Sequence, residues 1–186
     1  MRRRIVQFIS SCLLVLLGVY LISGSAYAHT LKLADVTFIE HKGDGYSISY
    51  PSDWTFNTNT TNSGGYVGDF FTDPTNTYVF HVYPSHDQTS DKQILDQLLT
   101  GELNSTLQSI TPTVTVNNVE WQQGKASGIN QLTGKQYEKI GWVSKNPVDP
   151  DHIPHFVLHA EGDPAAFDCY TDKYFLPMLH SFHFTK

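Results

Sequence analysis

Asp149, Asp151, His152 and His155 fall within seven residues, and they are the metal-ligating and proton-transferring side chains that stand out in this chain. Carboxylate oxygens beside imidazole nitrogens make a donor set for a divalent ion, zinc or manganese. If the residues after Pro154 form a strand, His159 shares a face with His155. No tight spacing such as HExxH ties these groups to one ion, so surface or hydrogen-bonded structural histidines stay open as the alternative, with no cofactor at all.

Other chemistries find less footing. Cys169 with His155 or His159 is formally a thiol–imidazole pair, but the chain has no GxSxG, no SxxK and no local Cys/His signature. Cys169, the one cysteine outside residues 1–28, reads more simply as a small buried hydrophobe. Asp149 and Asp151 sit among Pro147, Pro150 and Pro154, where solvation explains a carboxylate pair better than glycoside hydrolysis does. The expectation is a protein that is not an enzyme, with a hydrolase as the enzymatic alternative.

The elements that must position these residues read as a strand series interrupted by one helix. Val36 to Lys42 and Tyr46 to Tyr50 form a hairpin around Gly43-Asp44-Gly45, with Trp54 to Thr58 extending past Pro51 and a polar surface loop from Asn57 to Gly65. Tyr66 to Thr72 and Tyr78 to Tyr83 form a second hairpin through Asp73-Pro74-Thr75-Asn76-Thr77. Ile94, Leu95, Leu98, Leu99, Leu103, Leu107 and Ile110 recur at helical spacing and predict a helix from Ser90 to Ile110, started by a Ser90/Gln93 capping box and stopped by Pro112. Gly101 within it marks a bend or a close contact.

Strands follow at Thr113 to Val116, Val119 to Ile129 and Gln136 to Ser144, joined by short turns that require antiparallel pairing. His155 to Ala160 is expected to turn Phe156 and Leu158 to one face and His155, Val157 and His159 to the other. Asp163-Pro164 caps a short helical piece, and Thr171 caps a last one that buries Phe175, Met178, Leu179 and Phe182, with a kink or start at Pro177. The fold class is α+β: an αβα sandwich with a central antiparallel sheet flanked by a long helix and C-terminal helical segments.

Residues 1–28 have the layout of a secretory signal peptide, with Arg2, Arg3 and Arg4 before an apolar run and Ala26-Tyr27-Ala28 at its end. An uncleaved membrane anchor is the competing reading, and either one places the remainder outside the cytoplasm. After a short lead at 29–35, residues 36–186 make one domain of ordinary size. All three arginines lie in the leader, so the rest holds nine basic residues, every one a lysine, against 18 acids. That balance disfavours nucleic acid and, once the signal is cleaved, anionic membrane surfaces. The missing guanidinium also removes the usual bidentate clamp for phosphate.

The element order, the run Gly45 to Trp54 (GYSISYPSDW), the Gly134-Lys135-Gln136-Tyr137 that opens a strand and the closing Phe175 to Phe184 segment resemble the PsbP family of extrinsic photosystem II proteins and their secreted bacterial relatives. The resemblance implies an αβα sandwich that docks on and stabilises another envelope or secreted protein. A small-ligand or metal-binding extracytoplasmic domain is the alternative. The family's metal ligands, a histidine on the equivalent strand and an acid before the final helix, would correspond to His155 and Asp172, with Asp149, Asp151 and His152 as additional candidates. Photosystem members dock through a basic N-terminal segment, whereas Lys32 is the sole basic residue between Ala28 and Val36. Only the fold and a binding role are therefore taken from the resemblance.

Overall fold

Alternation of large apolar and polar residues, punctuated by glycine and asparagine turns, builds two antiparallel sheets. The computed structural model describes residues 36–60, 66–101, 104–130 and 133–186. The leader, residues 29–35 and Leu103 lie outside them, as do residues 61–65 of the expected polar loop. The first hairpin is β1 (Phe38–Gly43) and β2 (Tyr46–Pro51), turned through Gly45 at φ 76°, a left-handed conformation that glycine adopts without strain. The larger sheet has eight strands: β3 (Thr55–Thr60), β4 (Tyr66–Thr72), β5 (Val79–Ser85), β6 (Thr106–Gln108), β7 (Thr113–Val116), β8 (Val119–Ile129), β9 (Gln136–Lys145) and β10 (His155–Gly162). Their spatial order is β3-β4-β5-β10-β9-β8-β6, with β7 also on β8. Residues Asn57 to Thr60, read from sequence as loop, form most of β3.

Strand β10 sits mid-sheet and is buried on both faces, as its near-continuous apolar run requires. Phe156, Leu158 and Ala160 face a core shared with Trp121, Trp142, Phe80 and the C-terminal aromatics, whereas Val157 faces a second cluster with Ile94, Leu95 and Leu99. Helix α1 (Asp91–Thr100) covers the second face, and the capping box at Ser90 and Gln93 is present as expected. Register pairs Gly124 directly with Gly141. A Cβ on Gly141 would lie 2.6 Å from Leu98 Cδ2, and one on Gly124 2.5 Å from Leu99 Cδ1. These two glycines form the trough in which α1 rests.

The helix is shorter than its periodicity predicts. It ends at Gly101 rather than Ile110, and Asn104 then adopts φ 57°. The Ser105-Thr106 that follows favours extended chain, and β6 gains ladder hydrogen bonds on the edge strand β8. Leu107 therefore belongs to a strand and is 54% exposed, and Pro112 has no helix to stop.

The opposite face carries a 3-10 turn (Pro164–Ala166), α2 (Phe167–Tyr170), a π-helical turn (Thr171–Phe175) and α3 (Leu176–Ser181), followed by β11 (His183–Phe184) on β2. Asp163 caps the start, its Oδ1 accepting from Ala165 N at 2.8 Å. Thr171 is not the N-cap of a separate helix. It continues the helix at φ −58°, and among the described residues its buried hydroxyl has no partner. The wide turn lies just before Leu176-Pro177, where proline's missing amide interrupts the regular ladder. Phe175, Met178, Leu179 and Phe182 are buried, as their spacing implies.

Two polar clusters tie these layers together. Lys125 of β8 reaches Asp168 at 2.6 Å and Glu138 at 2.9 Å and lies over the Phe167 ring, bolting α2 to the sheet. Burial alone would lower its pKa, but the hydrogen bonds and charges of Asp168 and Glu138 outweigh that and raise it. Asp69 of β4 is 3% exposed and accepts from His41 Nε2 at 2.9 Å, Tyr46 OH at 2.5 Å and Thr58 Oγ1 at 2.8 Å. One carboxylate thus joins β1 and β2 of the small sheet to β3 and β4 of the large one.

Candidate functional site

A cleft of about 930 Å³ opens where the start of α1 meets the ends of β8 and β9 and the loop 146–154. Its polar and charged lining comes from Gln88, Thr89, Ser90, Asp91, Lys92, Gln122, Lys145, Asn146 and His155, and Pro147, Pro150 and Pro154 form one wall. The loop holds its shape through Asn146, which is buried. Its Oδ1 accepts from Val148 N at 3.0 Å and Asp149 N at 3.3 Å, its Nδ2 donates to Asp149 O, and its backbone N–H donates to Pro154 O at 2.9 Å. An asparagine that closes its own turn in this way replaces regular secondary structure locally. Asn146→Ala is expected to lower stability by about 1–3 kcal/mol, since the buried amides lose their acceptor. Urea titration, together with faster amide exchange confined to 146–154, measures it.

His155 forms the inner end of the cleft. Its Nδ1 lies 2.7 Å from Asp91 Oδ1, and the pair is mostly buried. A carboxylate oxygen only accepts, so Nδ1 carries the proton of this bond. Sequence reading did not connect Asp91 with His155. The signal available was weak, because an acid at the first turn of a helix has a sufficient local reason to be there.

The expected metal ligands are not gathered around His155. His152 is exposed, with Nε2 4.0 Å from Asp44. Asp151 is exposed, and the backbone carbonyl of Asp149 accepts from Ile153 N. Asp172 lies exposed in the π-helical turn, on the side of the sheet opposite the α1 face to which His155 belongs. Among the described residues, no three His, Cys, Asp or Glu side chains are placed to hold one ion. Cys169, expected to be buried, is an exposed free thiol on α2. Its helix turns Phe167 rather than the cysteine to the core.

His159 shares the α1-side face with His155, as the alternation requires, but meets a different partner. It stacks on His81 of β5 with ring centroids 4.2 Å apart and planes 20° apart. Burial pushes both imidazoles below the ordinary histidine range, His159 furthest. Beside them Tyr83 is pushed up to about 12 by burial. Sequence spacing alone carried no sign that residues 81 and 159 meet.

No family model matches the chain, and no curated protein matches it. Among solved structures the chain is similar to LpqN, involved in cell envelope biogenesis of Mycobacterium tuberculosis. The TM-score is 0.49 at 14% identity, over 82% of this chain and 93% of that one. The resemblance to the PsbP family rests on the element order and short motifs given above.

Proposed function

We propose that this chain is an exported, non-enzymatic binding module that takes a segment of another extracytoplasmic protein into the cleft beside α1. The observation that carries the reading is the cleft itself. Side-chain amides of Gln88 and Gln122 and the His155 ring line it, against a wall of prolines. Amide groups match the donors and acceptors of an extended backbone, and prolines present a surface that loses little entropy on binding.

Catalysis is disfavoured by how the candidate groups are engaged. Ser90, the hydroxyl at the helix start, bonds Gln93 at both its donor and acceptor positions. An activated nucleophile would instead lie against a base such as His155. The volume also falls within the range of small-molecule pockets, which favours a small ligand as a second reading.

Photocrosslinking separates the two. With benzoylphenylalanine in place of Gln122, cells exporting the protein are expected to yield a discrete adduct of higher mass. A probe in place of exposed Lys186 should give none. If the Gln122 probe yields no protein adduct while a small-molecule fragment shifts the NMR signals of cleft residues, the second reading replaces the first.

A further inference from the structure

One transverse row crosses six strands of the large sheet: Asn57, Phe70, His81, His159, Gly141 and Gly124, each the register partner of the next. Its two ends differ. On one side Phe70 stacks on His81 at 5.8 Å, and on the other the glycines form the seat of α1. The histidine pair is the joint between them.

His159 is 8% exposed, and among the described residues its Nδ1 has no hydrogen-bond partner. An imidazolium carries N–H on both nitrogens, so protonation would fix a buried donor at Nδ1 with nothing to accept it. The groups around the pair do little to welcome a proton. Tyr83 of β5 meets His159 edge-on at 5.9 Å. Glu161 of β10 is engaged by Lys139 of β9 at 3.2 Å, so the carboxylate arrives with an ammonium attached. From β4 the row presents Phe70, from β3 Asn57, and from α1 the apolar Leu95 and Leu98 lie against Gly141, the next residue along. The titratable groups of α1 point elsewhere: Asp91 to His155, and Lys92 to Asp96 on the surface.

We propose that the stacked His81–His159 pair is an acid-operated release for α1, which keeps the helix seated while both rings are neutral and frees it when either takes up a proton. The direction follows from linkage. A histidine held below its ordinary value supports the closed state fully above about pH 6.5, and that support is lost as pH falls from there toward the depressed value. Because α1 brings Ser90 and Asp91 to the cleft, its release removes one wall. The release itself is a property of the fold and holds whatever the cleft binds.

Hydrogen–deuterium exchange at pH 7.5 and 5.0, corrected for intrinsic rates, tests it. In wild type the opening constant of α1 and β10 amides is expected to rise more than about tenfold on acidification, since one histidine that takes no proton in the closed state accounts for up to roughly 30-fold between pH 7.5 and 5.0. His159→Phe and His81→Phe keep an aromatic ring without a titrating nitrogen and should blunt that rise while β8–β9 amides behave as in wild type. If both variants open with acid as wild type does, the idea is lost. Should His159→Phe fail to fold, NMR titration of the His159 ring in wild type decides instead: an ordinary histidine midpoint in the closed protein overturns the release, and its absence down to pH 5 supports it.

Discussion

Asp69→Ala is expected to lower the unfolding free energy by about 3–5 kcal/mol, the range for breaking a buried, hydrogen-bonded charge cluster. For a domain of this size that corresponds to a drop in Tm of roughly 6–20 °C. The reason lies in the count of donors: His41, Tyr46 and Thr58 converge on one carboxylate that is almost wholly withdrawn from water. Removing the acceptor strands polar groups from β1, β2 and β3 together, so the small sheet should loosen from the large one as a unit. Calorimetry with exchange mapping would show β1 and β2 losing protection first. A change below about 1 kcal/mol would mean that water replaces the carboxylate at little cost, and that the cluster does not hold the sheets together.

Gly141→Leu is the second large effect. The new side chain would occupy the trough that Leu98 and Leu95 already fill, with the first added carbon inside contact distance of both. Overpacking of this kind costs about 1–3 kcal/mol, and a four-carbon addition against a packed helix belongs at the upper end. The expected signature is local. Exchange should accelerate along α1 and at the cleft, whereas the aromatic core on the other face, around Trp142 and Phe156, keeps its protection. Crystals showing α1 in its original place would refute the account of the glycine pair as its seat.

The strands and their turns were legible because their signals are local. Alternation set the hairpins, and Asn117-Asn118 at positive φ forms the turn its residue types suggest. The C-terminal aromatics likewise declared themselves as core. What the sequence concealed depends on competition or on distance. Leu107 and Ile110 continue a helical period by coincidence, and only the open edge of β8, more than a dozen residues away, explains why the chain turns to strand instead. The cleft was visible as a polar, proline-rich loop, but not its use of Asn146 as the internal brace. His155 was singled out for a metal, and Asp91, 64 residues distant, is what it meets. Pairing between two strands' side chains, as for His81 and His159, is set by register and leaves no trace in the spacing of either partner.

The placement of β11 bears on the order of folding. Its two residues pair with β2, and Ser181 bonds the backbone of Ser49 across 132 positions of chain. Phe182 lies between Tyr46, Trp121 and Phe156, so contacts of the longest sequence separation complete the main core. Closing so large a loop is entropically costly and slow, which places this step late. An emerging chain can pair β1 with β2, and β8 with β9, as soon as both strands exist, but the third strand of the small sheet and the Phe182 ring that completes the aromatic core wait for residues 182–184. Until then the molecule is a partly assembled sheet with a bare apolar face, the species in which chaperone capture and aggregation compete.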